Sequence, residues 1–287
     1  MRSNAANFQM EAPGALADVL QALAASPGKF TPIAGGTELM VALGAGRLQQ
    51  KELISLWGIT ELRFITATDA TLTIGAGATF TDIRRNAIIA TDFPMLAQAA
   101  SWTGSIANQN RGTLGGNIVN ASPAADSPPA LLAYDAEIEL VSARGTRTIP
   151  YGEFHLSYKK TVLAPDELVR CIHLPRTFGG YMQHTRKVGT RNAQAISKVA
   201  IAALARMESG VVQDIRIGAA SLRDTPIRCL AVEAVLKGQA INDATVAAAR
   251  KALAGETLPI DDIRSTAKYR SAVAGNLLEE FLRSLTL

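Results

Sequence analysis

The sequence predicts an α+β protein that contains more than one compact unit. With 287 residues the chain exceeds the usual size of a single domain, and 48% of those residues are apolar. Short stretches typical of strands and of helices follow one another without a regular βαβ repeat. Gly179 and Gly180 form the clearest boundary, because a new series of strands and then helices begins after them.

The N-terminal part of the chain is predicted to fold as helix, turn and strand. In residues 15–25 the apolar side chains recur with helical spacing, and Pro27 with Gly28 ends that helix. The short apolar run at 30–34 is predicted to be a strand. A glycine pair follows this strand directly.

A second strand and a hairpin are predicted next. Residues 53–56 form an apolar run of strand length. Residues 62–80 alternate between apolar and polar side chains, which predicts a hairpin that turns at Asp69 and Ala70.

Two helices and a long loop are predicted after the hairpin. Thr81 is the predicted N-cap of a helix that runs through Arg85, and residues 93–100 have the pattern of an amphipathic helix. Residues 105–125 are rich in Gly, Asn, Ser and Thr and have no helical period. We therefore predict a loop there, and a loop of that length inside a compact domain is usually functional.

The pattern becomes regular again after that loop. Pro128 and Pro129 lie in the first turn of an apolar helix that begins at Ser127 and ends at Tyr134. The later predictions are strands at 136–143, 181–187, 197–206 and 211–219, and helices at 231–236, 245–254 and 268–285.

Charge and hydropathy exclude several classes of protein. The net charge is +4, and no stripe of basic and aromatic residues suits a nucleic acid. No apolar run approaches the length of a membrane-spanning helix, and the N-terminus lacks the features of a secretory signal, so we expect a cytoplasmic protein. The basic clusters are either solvated or contact a partner protein or an anionic cofactor; they are Arg84 with Arg85, Lys159 with Lys160, and Arg186, Lys187 and Arg191.

The cysteines and histidines predict no metal site. The chain has two cysteines, Cys171 and Cys229, which are too few thiols for an iron–sulfur cluster or a structural zinc, and no CxxC motif is present. The three histidines show neither HxxxH nor HExxH spacing, and none lies beside a GxSxG serine. We therefore predict that any iron–sulfur cluster is carried by another polypeptide.

The first glycine loop comprises residues 32–39. Consecutive glycines such as Gly35 and Gly36 can take the positive φ that aims successive amide hydrogens into one concavity, and Thr37 adds a hydroxyl. A tight turn without a ligand is the alternative.

The second glycine loop comprises residues 111–133. Here Gly115 and Gly116 are joined by hydroxyl and amide donors at Thr113, Asn117, Asn120 and Ser122. Asp126 is either a ligand-binding carboxylate or a helix N-cap, and the two roles are compatible. Neither loop has the GxGxxG pattern, and neither opens a βαβ unit with a following acidic residue, which disfavours a Rossmann fold. The residues themselves indicate a bound diphosphate nucleotide.

Three motifs give the chain a close resemblance to the FAD-binding medium subunit of the molybdenum hydroxylases, a family that includes xanthine, carbon monoxide and nicotinate dehydrogenases. They are AGGTEL at 34–39, NRGTLGGNIVNASPAADSPPALLAYDAEIEL at 110–140 and KVGTRNAQAISKVAIAA at 187–203. The resemblance covers nearly the whole chain. It implies a vanillyl-alcohol-oxidase-type (PCMH-type) FAD fold of two subdomains, 1–56 and 57–176, and a C-terminal α+β domain of the CO dehydrogenase flavoprotein type at 177–287.

The resemblance also implies the residues that bind FAD. The pyrophosphate is expected at Ala34, Gly35, Gly36, Thr37 and Glu38 and at residues 113–117, which include Thr113, Gly115, Gly116 and Asn117. Asp126 is expected to bind the adenosine part or its ribose, and Lys198 is expected near the flavin ring. No catalytic residue and no metal ligand is implied.

Partner chains follow from the same resemblance. It implies a small subunit with 2Fe-2S clusters and a large subunit with a molybdenum pterin cofactor, assembled as a dimer of heterotrimers. Substrate is then hydroxylated on the large subunit, and electrons pass through the clusters and FAD to an external acceptor, which is NAD, a quinone, oxygen or a redox protein. Two cysteines exclude the extra cluster found in the related 4-hydroxybenzoyl-CoA reductase subunit.

Two other functions compete with this prediction. A free-standing flavoenzyme of the same fold, of the UDP-sugar reductase or carbohydrate oxidase type, would carry its own substrate site, but neither a covalent flavin attachment point nor a proton donor is evident. A non-enzymatic nucleotide-binding or scaffold protein would use the loops for another ligand.

Overall fold

The computed structural model describes residues 5–191 and 194–286, so Asn192 and Ala193 of the third motif lie outside the described residues. The strands are β1 (Gln9–Glu11), β2 (Thr31–Ile33), β3 (Glu52–Ser55), β4 (Ile65–Ala67), β5 (Thr71–Gly75), β6 (Glu137–Ser142), β7 (Gly145–Pro150), β8 (His155–Ser157), β9 (Lys160–Thr161), β10 (Leu168–Pro175), β11 (Met182–Val188), β12 (Val199–Glu208), β13 (Val211–Ala220) and β14 (Ile227–Arg228). The helices are α1 (Leu16–Ala25), α2 (Leu39–Gly44), α3 (Phe80–Arg85), α4 (Ala87–Asp92), α5 (Pro94–Trp102), α6 (Ile106–Gln109), α7 (Leu114–Val119), α8 (Pro128–Ala133), α9 (Leu230–Leu236), α10 (Asp243–Glu256) and α11 (Ala267–Ser284).

The first sheet contains three short parallel strands in the order β1-β3-β2. Parallel neighbours require crossover connections, and α1 and α2 provide them. The apolar stripe of α1, with Val19 and Leu23, is buried with Ile54 of β3. The first glycine loop thus connects β2 to α2 inside a βαβ unit, but β3 ends in Ser55 and not in the acidic residue of a Rossmann fold.

The second sheet is antiparallel, with the order β4-β5-β10-β6-β7. One face buries the alternate apolar residues of its strands, such as Ile74, Ile138 and Ile172, and forms the largest core cluster. The hairpin predicted to turn at Asp69 and Ala70 is confirmed by β4 and β5. The central strand, β10, was not predicted from the sequence.

Short helices cover this core and correct two predictions. Thr79, not Thr81, is the N-cap of α3: its hydroxyl accepts from the Asp82 amide, and the Asp82 carboxylate accepts from the Thr79 amide in a capping box. The stretch predicted as a loop at 105–125 contains α6 and α7, each of one or two turns. Such helices are too short to show a hydrophobic period.

The C-terminal sheet, β11-β12-β13-β14, is antiparallel throughout. Helices α9, α10 and α11 cover one face and share a core with Ile201 and Ile217. The opposite face meets α8, so that Ala202 and Leu204 of β12 belong to the core of the second sheet. This predicted α+β unit is therefore packed directly against the part of the chain that precedes it.

No helix in the described ranges is both long enough and apolar enough to span a membrane.

The contact between α8 and β13 gives a test of this packing. A Cβ at Gly218 would overlap the carbonyl oxygen of Pro129, so Gly218→Ala must push helix and strand apart. We expect a loss of about 1–3 kcal/mol in the free energy of unfolding, the usual cost of overpacking, seen as a lower thermal midpoint. Gly255→Ala is the control, because nothing lies within 4 Å of its Cβ position in α10 and alanine favours a helix. Equal midpoints for the two variants would contradict this account.

Candidate functional site

The first glycine loop presents a run of backbone amides without protein partners. Gly36 has φ +75°, a left-handed conformation that favours glycine. Among the residues that the structure describes, no acceptor takes the N–H groups of Gly35, Gly36, Thr37 or Glu38. Ala34 and the two glycines are half-buried, while Thr37 and Glu38 are exposed. Open amides next to a positive-φ glycine are a common way of binding phosphate oxygens.

The second loop is held against the first by close backbone contact. A Cβ at Gly35 would overlap the carbonyl oxygen of Arg111, so only glycine permits this approach. The Arg111 guanidinium lies 3.7 Å from the centre of the Trp57 ring, and its Nε donates to the Gly35 carbonyl at 3.4 Å. Arg111 therefore links the two loops, although the sequence analysis did not single it out.

The glycine pair of the second loop is held by contacts within the protein, and its predicted contact with a pyrophosphate stays a prediction. Gly115 N donates to the Ala76 carbonyl at 2.9 Å, and a Cβ at Gly115 would lie 2.6 Å from that of Ala76. Thr113 is the N-cap of α7; its hydroxyl accepts from Gly116 N at 3.1 Å, and its carbonyl accepts from Asn117 N at 3.0 Å. These three amides satisfy protein acceptors, so Gly115 provides close packing rather than an open donor.

A lysine that the sequence did not assign to the site lies between the loops. Lys159 Nζ donates to Asn120 Oδ1 at 2.6 Å and lies 3.8 Å from Glu38 Oε1. Partial burial lowers the pKa of Lys159, while the charge of Glu38 acts in the opposite direction. The signal in the sequence was the basic pair Lys159 and Lys160, for which contact with an anionic cofactor was one of the interpretations.

Asp126 joins the two halves of the chain. Its Oδ2 accepts from Lys187 Nζ and its Oδ1 accepts from Ser197 Oγ, both at 2.6 Å. Burial raises the pKa of Asp126 although the charge of Lys187 opposes that shift. The N-cap alternative was wrong, because the N-cap residue of α8 is Ser127 and the Asp126 carboxylate is turned to the C-terminal unit. Its contact with the adenosine part stays a prediction.

The contacts of Lys198 lie within the C-terminal unit. Its Nζ is 5.2 Å from the centre of the Tyr269 ring, its N–H donates to the Val188 carbonyl, and its own carbonyl accepts from Arg270. The structure thus brings the first loop together with Arg111 and Lys159, whereas Lys198 contacts α11 and β11. Its predicted place near a flavin ring stays a prediction.

The chemistry of the two loops fits the phosphate part of a dinucleotide. Open amides at 35–38 can donate to phosphate oxygens, and the ammonium of Lys159 is close enough to Glu38 to add a positive charge beside them. Four amides and one ammonium suit a diphosphate better than a neutral ligand, because charge-assisted hydrogen bonds are the stronger kind.

Comparison with known families and structures agrees with this geometry. Residues 6–177 match the model of the FAD-binding domain in molybdopterin dehydrogenase, and residues 184–285 match that of the CO dehydrogenase flavoprotein C-terminal domain. The two matches account for most of the chain.

Individual members of this family are similar to the chain over most of its length. The xanthine dehydrogenase FAD-binding subunit of Escherichia coli is 31% identical over 257 residues, which is 89% of this chain and 88% of the relative. The carbon monoxide dehydrogenase medium chain of Hydrogenophaga pseudoflava is 28% identical over 96% of each chain.

A solved structure of a relative has the same fold as this chain. It is the carbon monoxide dehydrogenase of Hydrogenophaga pseudoflava in a form that lacks the Mo-pyranopterin moiety of its molybdenum cofactor. It superposes with a TM-score of 0.92 at 29% identity and covers 96% of this chain and 95% of that chain. This protein is therefore an FAD-binding subunit of the molybdenum hydroxylase family, and it belongs to the oxidoreductases.

Proposed function

We propose that this chain is the electron-transfer subunit of a heterotrimeric molybdenum hydroxylase. In this proposal a small subunit carries 2Fe-2S clusters and a large subunit carries the molybdenum pterin cofactor, at which substrate is hydroxylated. Electrons pass from the clusters through FAD on this chain to an external acceptor. The observation that carries the proposal is the run of open amides at 35–38, fixed against the backbone of Arg111.

The first loop is proposed to bind the pyrophosphate of FAD. The amides of Gly35, Gly36, Thr37 and Glu38 would donate to its oxygens, and Lys159 would balance part of its charge. Ala34 directly follows β2 and precedes the two glycines. FAD supplies the ability to accept electrons singly and to release them singly or in pairs.

The second loop is proposed to complete the binding site mainly by its shape. Thr113 and Gly116 fix the start of α7, and Gly115 allows α7 to approach Ala76. The half-buried Asn117 would then contact the ligand. The Ser127 hydroxyl donates to Asn117 Oδ1 at 2.6 Å, which orients that amide.

Asp126 and Lys198 are proposed to act at the two ends of the cofactor, the adenosine part and the flavin ring. Asp126 is also part of the junction with β11, so it would couple cofactor binding to the position of the C-terminal unit. A lysine beside a flavin would stabilise negative charge on the reduced ring.

The remaining predictions from the sequence enter the proposal unchanged. The chain is divided into FAD-binding subdomains at 1–56 and 57–176 and a C-terminal domain at 177–287. The three larger sheets support that division, because their strands lie at residues 9–55, 65–175 and 182–228. The complex is a cytoplasmic dimer of heterotrimers.

The decisive experiment is an absorption spectrum and metal analysis of the native complex, purified through a tag on this chain. We expect flavin bands together with iron and molybdenum in two co-purifying subunits. A single catalytically active yellow chain without those metals would instead identify a free-standing flavoenzyme, and colourless protein that does not bind FAD would contradict the proposal altogether.

The role of the first loop can be tested at Gly36. Gly36→Ala forces a side chain into a left-handed conformation, which costs about 1–2 kcal/mol, and brings its Cβ to within 3.3 Å of Met40 Cγ. We expect FAD affinity, measured by titration of the apoprotein, to fall at least about tenfold because the amides change direction. Gly28→Ala is the matched control: it has φ +78° with open space around it, outside both loops. Equal FAD affinity in both variants would refute the role of the Gly36 loop.

The role of Lys159 can be tested by comparison with Lys160, the next residue in the chain. Lys159→Met should weaken FAD by about 10- to 100-fold, because hydrogen bonds to charged groups are worth about 1.5–3 kcal/mol. The loss should shrink at high salt, since part of it is electrostatic. Lys160→Met removes an exposed charge one residue away and should leave FAD affinity unchanged. A similar loss in both variants would point to general charge rather than a specific contact.

A further inference from the structure

Three side chains that can bind a metal ion meet on the outer face of the five-stranded sheet. Cys171 and His173 are two residues apart on β10, so their side chains point to the same face. Glu139 of β6 is the register partner of Cys171. The ligand atoms of the three residues all lie within 4.8 Å of one another.

Two of the distances between these atoms match the edges of a tetrahedral zinc site. Cys171 Sγ is 3.6 Å from His173 Nε2, and that nitrogen is 3.4 Å from Glu139 Oε2. Around tetrahedral Zn²⁺, with Zn–S of about 2.3 Å and Zn–N and Zn–O of about 2.0–2.2 Å, the corresponding separations are about 3.6 and 3.3–3.4 Å. Two of the three edges therefore fit one ion, and the third, between Cys171 Sγ and the Glu139 carboxylate, is no longer than 4.8 Å.

Neighbouring side chains orient two of the three groups as metal ligands require. Thr73 Oγ1 lies 3.1 Å from His173 Nδ1. When Nδ1 carries the proton and donates to that hydroxyl, the Nε2 lone pair is available to a metal ion on the side of Cys171 and Glu139. Arg170 donates to Glu139 Oε1 at 2.5 Å and leaves Oε2 directed at His173. Metal-binding histidines and carboxylates typically have such partners.

The site is accessible from one side. Cys171 is buried, whereas the side chains of His173 and Glu139 are 25% and 15% exposed. An ion can therefore enter beside the imidazole, and a water molecule can take the fourth position.

We propose that Glu139, Cys171 and His173 form a Zn²⁺ site with three protein ligands and one position for water. It would join β6 to β10 at the point where the register of these strands shifts, between Val169 and Cys171. It lies outside both glycine loops, so it is independent of the proposed FAD site. Sequence spacing predicted no metal site because one ligand comes from a neighbouring strand.

The proposal is tested by adding Co²⁺ to the full, flavin-containing chain after treatment with a chelator. Co²⁺ is a spectroscopic substitute for Zn²⁺, and its tetrahedral visible bands lie at longer wavelengths than the flavin bands. We expect these bands to saturate at one equivalent and to disappear when Zn²⁺ is added. A failure to saturate at one equivalent would overturn the proposal.

Substitutions distinguish between a metal site and a cluster of residues that only form hydrogen bonds with one another. Cys171→Ser and His173→Gln should each weaken Co²⁺ binding at least 100-fold, and Thr73→Val should weaken it about tenfold by releasing the imidazole. Cys229→Ala, which removes the other buried thiol, should bind Co²⁺ like the natural chain. Circular dichroism and the thermal midpoint verify that each variant folds. If Cys171→Ser does not fold, His173→Gln, at a partly exposed position, is the variant that tests the metal site. Unchanged Co²⁺ affinity and spectrum in folded His173→Gln would refute the site.

Discussion

The close approach of the Arg111 carbonyl to Gly35 is the contact on which the geometry of the loops depends. Helix α2, which follows the first loop, has no buried residue, so hydrophobic packing does not hold that loop in place. The loop is positioned instead by backbone contact with Arg111, whose guanidinium stacks on Trp57. The next amide, Gly112 N, donates to the Asn108 carbonyl at 2.6 Å, which fixes the Arg111 carbonyl from the other side. Backbone contacts of this kind give a binding loop a defined shape while its amides remain open.

Long, regular elements were predicted well, whereas short elements and a strand with buried residues on both faces were not. The ten-residue strands β12 and β13 and the helix α11 were confirmed within about two residues, because their apolar patterns are long enough to identify. Strand β10 was missed because residues on both of its faces are buried, which removes the alternation that marks a half-exposed strand. The cap at Thr79 was available in the sequence, since Asp82 follows it by three residues as a capping box requires.

Some features of the site could not be predicted from the sequence. The glycine pairs marked both loops, but sequence alone could not say why each glycine is present. Gly35 permits backbone contact, Gly36 supplies a positive φ, and Gly115 permits packing on Ala76. These reasons depend on atoms distant in the chain. The same limit applies to the pairing of Lys159 with Glu38, which are 121 positions apart by their residue numbers.

Glu38 shows why the backbone and the side chain of one residue must be considered separately. Its open N–H group favours an anion, whereas its carboxylate would repel one. The carboxylate side chain is 62% exposed, so water and salt screen its charge, and Lys159 at 3.8 Å offsets part of the remainder. A bound diphosphate would in turn stabilise the charged form of Lys159, whose pKa burial lowers. Anion binding and the protonation of Lys159 are therefore coupled, and each favours the other.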